Sequence, residues 1–274
     1  MLRYAVGQDL AALCRLRCAV YGGTLQDAAG WLQYVAGLSN TLLLEPESGG
    51  APTAMLAAIP VTYGLHRGIW LRGIAVQPGL AGDDLVCRLT ADCVRAFAAS
   101  GCEFALATPR GSAAAGQLEQ IGFRNVLPRR VVRTPIARNL LATAEFDALT
   151  VPRLSHLRGH SQPGALEITE DSLTETMTQL YRRGLTTVCS RRGYGLFYTG
   201  EDTLQFLELQ ADNDHSADLL LQAAAEHTGI HRAQLVLAEN QTLYLGAGRR
   251  CGYGMLCFLH GKFPVRDLYF SQLL

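Results

Sequence analysis

Paired histidines are the first residues in this chain whose spacing could do chemistry. His156/His160 and His227/His231 each have the i,i+4 interval that puts two imidazoles on one helix face, as a zinc site requires. Neither first histidine is followed by the glutamate of a metalloprotease, and Gly159 and Gly229 fall inside the intervals, so no metal is expected. Gly246-Ala247-Gly248-Arg249-Arg250-Cys251-Gly252 carries glycines like those of a dinucleotide loop. Its third glycine comes one place late, however, and strand-like sequence follows. The eight cysteines (14, 18, 87, 93, 102, 189, 251, 257) contain no Cys-x-x-Cys pair, and several lie in apolar patterns. They are expected to be reduced thiols acting as small hydrophobes. The pairs Arg129/Arg130, Arg182/Arg183, Arg191/Arg192 and Arg249/Arg250 are dispersed along the chain, so a solvated surface is expected and a nucleic-acid stripe is not.

The informative block runs from Leu71-Arg72-Gly73-Ile74-Ala75-Val76-Gln77-Pro78 to Gly122-Phe123. A strand ends in Ala-Val-x-Pro. A Gly-containing loop and a long amphipathic helix over about Asp83 to Ser100 follow, closed by Gly101. A buried strand, Cys102 to Ala107, leads to a short helix, Ser112 to Ile121, and then to Gly122-Phe123. Ser112 at the start of that helix reads as an N-cap, or as a hydroxyl able to order a water.

The elements that position this block alternate in period. Leu2 to Ala5 reads as a strand, Asp9 to Val20 and Leu25 to Gly37 as helices, and Thr41 to Glu45, Thr53 to Tyr63 and Gly68 to Val76 as strands. Val126 to Ile136 is strand-like, with Pro128 limiting its pairing. Composition shifts at Arg138. A helix is expected around Asn139 to Ala148, then irregular chain from Arg158 to Gly164, and a helix from Glu170 to Arg182. Strands follow at Thr187 to Ser190, Gly193 to Tyr198 and Thr203 to Leu209, then a helix at Ser216 to Thr228. Ala233 to Leu237, Met255 to Leu259 and Asp267 to Leu273 read as the last strands. The two halves share element order without sequence identity, so two domains are expected, 1–138 and 139–274, meeting near residues 137–150. Each should be a twisted, largely antiparallel sheet with helices packed on it.

With 274 residues, 49% of them apolar and 18% charged, the chain has ample material for packed cores. Twenty-four basic residues balance 24 acidic ones, which gives no electrostatic reason to expect nucleic acid or an anionic membrane. No apolar run approaches a membrane span. The stretch Met1 to Asp9 lacks a basic head followed by an apolar segment, so no signal peptide is expected and the cytoplasm is the expected location.

The order of elements, with Val76, Pro78, Gly82, Gly101, Gly122 and Phe123, resembles the GCN5-related N-acetyltransferase (GNAT) superfamily over about residues 1–136. Residues 139–274 resemble the second, degenerate domain of tandem GNAT proteins, the group that includes enhanced-intracellular-survival-type acetyltransferases. The resemblance implies a mixed α/β, α+β-like fold of two acyl-CoA N-acyltransferase domains, the second degenerate. It implies acetyl-CoA as cosubstrate, with Ile74, Ala75 and Val76 facing the pantetheine arm. The phosphate loop would be Ala81-Gly82-Asp83-Asp84-Leu85-Val86, which would offer backbone N–H groups to the diphosphate. Trp31, Tyr21 and Tyr34 fall where the superfamily builds its acceptor pocket; core packing is the alternative for them.

Two departures from the superfamily pattern follow. Aligned on Pro78, Ala81 stands at the arginine position of the loop, Asp84 at the first glycine and Val86 at the second small residue. Asp83 and Asp84 thus bring carboxylates to the diphosphate, each pair repelling by roughly 3 kcal/mol at about 5 Å and an effective dielectric of about 20. Alternatively the two carboxylates serve the helix's own N-terminus. The tyrosine that protonates the departing thiolate in family members would fall on Leu118, preceded here by Gln117. Trp70, Leu71, Arg72 and Gly73 offer no carboxylate base. The expected activity is acetyl transfer to a small-molecule or peptide amine, without metal or covalent intermediate. The alternative is a catalytically degenerate GNAT-fold binding or regulatory module.

Overall fold

A computed structural model describes residues 2–46, 49–80, 83–109, 111–138 and 143–271; for Asp83 and Asp84 it describes the helical backbone. The chain divides into two compact units. The first comprises Met1–Val126, Glu167–Thr176 and Gly254–Phe263, and the second Leu127–Leu166, Met177–Tyr253 and Pro264–Leu274. No helix among the described residues is long and apolar enough to cross a membrane.

The elements in chain order are β1 (Leu2–Tyr4), α1 (Leu10–Tyr21), α2 (Leu25–Gly30), β2 (Thr41–Leu44), β3 (Ala54–Tyr63), β4 (His66–Val76), α3 (Asp83–Ala99), β5 (Phe104–Ala107), α4 (Ser112–Gln120), β6 (Arg124–Pro135), β7 (Glu145–Phe146), α5 (Val151–Ser161), α6 (Glu170–Arg182), β8 (Thr186–Ser190), β9 (Gly193–Thr199), β10 (Leu204–Ala211), α7 (Asp214–Thr228), β11 (Arg232–Ala238) and β12 (Arg249–Phe258). The helix expected to Gly37 changes winding partway: α2 passes into a π-helical segment, Trp31–Ala36.

In the first unit β1, β2, β3 and β4 form an antiparallel meander. β4 pairs in parallel with β5, and the end of β12 pairs antiparallel with β5, Met255 opposite Ala107. The parallel step needs a crossover, which α3 supplies. One apolar face of α3, including the buried Leu89 and Cys93, packs on Ile69, Leu71 and Ala105 of the sheet. Gly101 (φ +87°) ends α3: its N–H bonds to Ala98 O and that of Cys102 to Phe97 O, a Schellman pair. Gly122 (φ +100°) ends α4 in the same way and sends Phe123 fully into the core. Gly111 rather than Ser112 occupies the N-cap position of α4, and its cap makes no side-chain hydrogen bond.

The second unit repeats the arrangement. β7, β8, β9 and β10 are antiparallel, β10 and β11 are parallel with α7 between them, and β6 pairs antiparallel with β11. Pairing of β6 with β11 begins at Arg129, the residue after Pro128. Two local expectations fail here. Of the helix expected over residues 139–148, the described part holds β7, because Glu145 and Phe146 pair with β8 and Asp147 takes a left-handed conformation (φ 52°). The helix starts later, where Thr150 accepts the Arg153 N–H and Pro152 suits the first turn, and it runs through Gly159 to Ser161. The strand expected from Asp267 reduces to one bridge, Tyr269 with Ala165, among the described residues.

Candidate functional site

β4 carries the feature that distinguishes this sheet. Arg72 lies opposite Ala57 and Ala75 opposite Met55, so Gly73 and Ile74 together face Leu56. This is a β-bulge with a left-handed glycine in it (φ +66°). A Cβ on Gly73 would lie 2.5 Å from Cη2 of Trp31, so the bulge needs glycine for both its backbone and its space. The parallel pairing with β5 ends at Leu71 opposite Ala107. β4 runs on from Arg72 to Val76, a strand edge of about 17 Å at 3.3 Å per residue.

The ladder shows which backbone groups line that edge. Gln77 N–H donates to Thr53 O at 2.8 Å, so Gln77 turns its N–H toward the β3 side, while the Thr53 N–H serves Leu44 O. Antiparallel pairs alternate, so Ala75 turns its N–H and C=O to β3, and Val76 turns both away from it, toward the side of β5. The same alternation puts Ile74 on the Val76 edge. Its carbonyl accepts a hydrogen bond from Tyr21 Oη at 2.6 Å. Ala75 is fully buried, Val76 nearly so, and Ile74 packs half-buried on the α3 side.

At the start of α3, Ala81 and Gly82 lie outside the described residues, as do the side chains of Asp83 and Asp84. Leu85 and Val86 pack their side chains against the core, leaving only backbone groups for any ligand. Leu118 is buried in the same core. On β4, the Arg72 guanidinium lies 4.4 Å over the Trp70 ring. Glu103 bonds His66 Nδ1 at 2.8 Å, and this contact and the Arg67 N–H hold its carboxyl below the usual range.

The second unit has a counterpart of the bulge. Leu207 is extra in β10, between Phe206 opposite Phe197 and Glu208 opposite Leu196. The parallel pairing of β10 with β11 ends at Phe206 opposite Leu235, just before it. Here the strand ends beyond the pairing are joined by one side chain. Gln241 Nε2 donates to Leu209 O of β10, and Gln241 Oε1 accepts from Ala238 N–H of β11 at 3.1 Å. Asn213 caps α7 by accepting the Ser216 N–H, and Asp214 accepts the Tyr244 N–H at 2.8 Å.

Behind β10, Glu208 is buried with Tyr194 Oη donating to it and Arg158 Nε at 3.5 Å. Burial works against the Arg158 charge, but Glu208 together with Tyr194, Tyr269 and Tyr253 outweighs it, leaving the guanidinium above its ordinary value. Burial, then Glu208, pushes the Tyr269 phenol up to about 12. A lone glutamate in the apolar run Leu204–Ala211 was the one sequence signal for this cluster; nothing in the sequence marked Gln241 or the bulge.

The remaining motifs resolve as structure. Arg130 donates to the Leu243, Tyr244 and Gly246 carbonyls, so the glycine-rich stretch begins as a loop held by protein contacts and passes into β12 at Arg249. His227 stacks on Phe146 with ring centroids 4.2 Å apart. Among the described residues no group of His, Cys, Asp and Glu could hold a metal ion. All eight cysteines are free thiols, and burial pushes Cys93 up to about 12.

No family model and no curated protein matches the chain by sequence. Solved structures do match it. A GCN5-related N-acetyltransferase from Anabaena variabilis superposes with a TM-score of 0.73 at 14% identity, over 95% of this chain and 73% of that one. Eis1 from Mycobacterium abscessus gives 0.68 at 11% identity, over 94% and 74%. A tandem GNAT protein from the clavulanic acid biosynthesis pathway gives 0.53 at 11% identity, over 96% and 100%. At such identities the likeness concerns the backbone alone: this chain has a mixed α/β fold like that of the GCN5-related N-acetyltransferase superfamily.

Proposed function

We propose that the protein is an acetyl-CoA-dependent N-acetyltransferase whose first domain, residues 1–138, takes the donor. The observation that carries this reading is the β4 edge beyond the bulge, where Val76 turns both backbone groups away from β3 and the pairing with β5 has ended. An extended chain with amides, such as pantetheine, finds there an edge to pair with. Ile74, Ala75 and Val76 form that edge, with Val76 making the hydrogen bonds. The role of binding the diphosphate falls in this reading to the backbone N–H groups of Gly82, Asp83, Asp84, Leu85 and Val86. The fit is good along the arm and poor at the diphosphate, where Asp83 and Asp84 add negative charge and Leu85 and Val86 are committed to the core.

Catalysis in this reading is proximity plus polarisation of the thioester carbonyl by a strand amide. The protein's groups orient the donor and exclude water from the apolar side lined by Leu85, Val86 and Leu118. The acceptor is a small-molecule or peptide amine. The second domain, residues 139–274 in this reading, is a degenerate copy: Gln241 makes across β10 and β11 the amide hydrogen bonds that a donor would need.

Titration calorimetry with acetyl-CoA, followed by thiol release in the presence of primary amines, tests the reading. One donor bound per chain with amine-dependent thiol release is expected. No heat and no thermal stabilisation at millimolar acetyl-CoA would refute it. Buried Leu118 in place of a tyrosine, with the acidic loop, favours the second reading, a silent binding or regulatory module, which that result would support.

A further inference from the structure

Residues alternate across the strands of the second unit. Val132, Leu204, Phe206, Ala233 and Leu235 pack in one core with the buried residues of α7. Their neighbours in sequence therefore turn to the other face of the sheet. There Arg133 lies opposite Gln234, and Gln234 opposite Gln205, in one row across β6, β11 and β10. Arg232, two residues before Gln234, shares that face. With Asp202 and Thr203 these side chains line a cavity of about 540 Å³, within the size range of small-molecule sites. The lining is polar, and Arg133, Arg232, Asp202 and Gln205 are all exposed to water.

The donors of this cavity are largely unspent. Arg133 Nε donates to Gln234 Oε1 at 3.0 Å, which fixes the amide with its Nε2 free to donate. The two terminal nitrogens of Arg133 make no hydrogen bond or ion pair among the described residues. Arg232 Nη1 stands 3.6 Å from Asp202 Oδ2, an ion pair longer than a hydrogen bond. Asp202 Oδ1 accepts instead from Thr203 Oγ1 at 2.9 Å. Two guanidinium groups thus meet one carboxylate. Arg133 and Arg232 are diagonal neighbours on antiparallel strands, a spacing of about 7–8 Å. A guanidinium fork pairs with two oxygens of a carboxylate or a phosphate. We propose that this cavity binds a small molecule with two oxyanion groups, one on each arginine, with Gln234 Nε2 donating beside them. Every lining residue belongs to the second unit, and such a ligand needs no acyl transfer by the first.

Titration calorimetry of the full chain with citrate and with inorganic pyrophosphate, at about 50 mM salt where screening is modest, is the test. At least one of them should fill one site per chain with a dissociation constant below about 1 mM, and acetate should bind at least about tenfold more weakly. The tighter of the two probes tells a polycarboxylate from a diphosphate. Arg133→Met and Arg232→Met replace exposed side chains and leave the core intact. Each should weaken binding at least about fivefold, and the two together should abolish it. Asp202→Asn keeps an oxygen for Thr203 and removes the competing charge, so it should tighten binding about threefold. A wild type that shows no saturable binding up to about 10 mM of either probe overturns the proposal. So does binding that survives the double arginine variant, which would put the anion elsewhere in the protein, and so does an Asp202→Asn variant that binds no better than wild type.

Discussion

Gly73→Ala isolates the physical basis of the bulge. Alanine at φ +66° costs about 1–2 kcal/mol for the left-handed backbone. Its Cβ also falls 2.5, 3.1 and 3.3 Å from three atoms of the Trp31 ring, which is 3% exposed and has little room to retreat. Overpacking of that kind costs about 1–3 kcal/mol. Together the loss is about 2–5 kcal/mol, a fall in Tm of roughly 5–15 °C for a domain of this size. Trp31→Phe separates the two contributions. It removes the ring atoms that meet the new methyl group, and because Trp31 Nε1 has no hydrogen-bond partner, what is sacrificed is packing and part of the stacking of Arg17 on the ring. In that background Gly73→Ala should cost only the backbone part, a coupling of about 1–3 kcal/mol. Urea denaturation of the four proteins gives the cycle. A Gly73→Ala cost below about 0.5 kcal/mol, or an equal cost in both backgrounds, would refute the argument.

Four other measurements bear on the structure. Gln241→Ala leaves the Leu209 carbonyl and the Ala238 N–H without partners and should destabilise by about 2–5 kcal/mol in urea, without weakening acetyl-CoA binding; a loss under about 1 kcal/mol would mean that water serves the two strands equally well. Arg158→Met and Glu208→Leu should each cost about 3–5 kcal/mol by stranding a buried charge, while the double variant costs less than either; additive losses would show that the charges are not coupled. Ala81→Arg with Asp84→Gly should tighten acetyl-CoA binding by roughly 2–4 kcal/mol, less in high salt, and unchanged affinity would discard the electrostatic reading of the loop. Arg3 bonds Asp9 and Glu45, and these contacts hold both carboxyls below the usual range. Depressed carboxyls contribute stability that is full above their unfolded values, about pH 4, and is lost as pH falls through the lower folded values. Arg3→Met should therefore be less stable than wild type at neutral pH and converge with it in acid, as followed by acid-unfolding curves; a gap that widens below about pH 4 would contradict the sign.

Local order was legible because it depends on neighbours in sequence. The apolar period of α3, the glycines closing α3 and α4, and the strands of the meander follow from spacing and from the conformations only glycine adopts readily. The same reasoning misplaced the helix near residue 145, because Thr150 and Pro152 start α5 while the pairing of Glu145 and Phe146 with β8 draws the preceding chain into a strand. Gly73 was visible as a glycine in a strand, but nothing near it in sequence says that Trp31 stands where its Cβ would be. Tyr21 and Ile74 are 53 residues apart, and only the packing of α1 on the sheet brings a hydroxyl to that carbonyl. Gln241 reads as an ordinary loop residue until β10 and β11 separate and leave one donor and one acceptor for its amide to satisfy. Sequence by itself determined the elements and the order that the fold requires, since hydrophobic period and backbone preference are local. Tertiary structure decided which backbone groups remain for a ligand, because that depends on where paired strands part company and on which distant side chains fill the space between them.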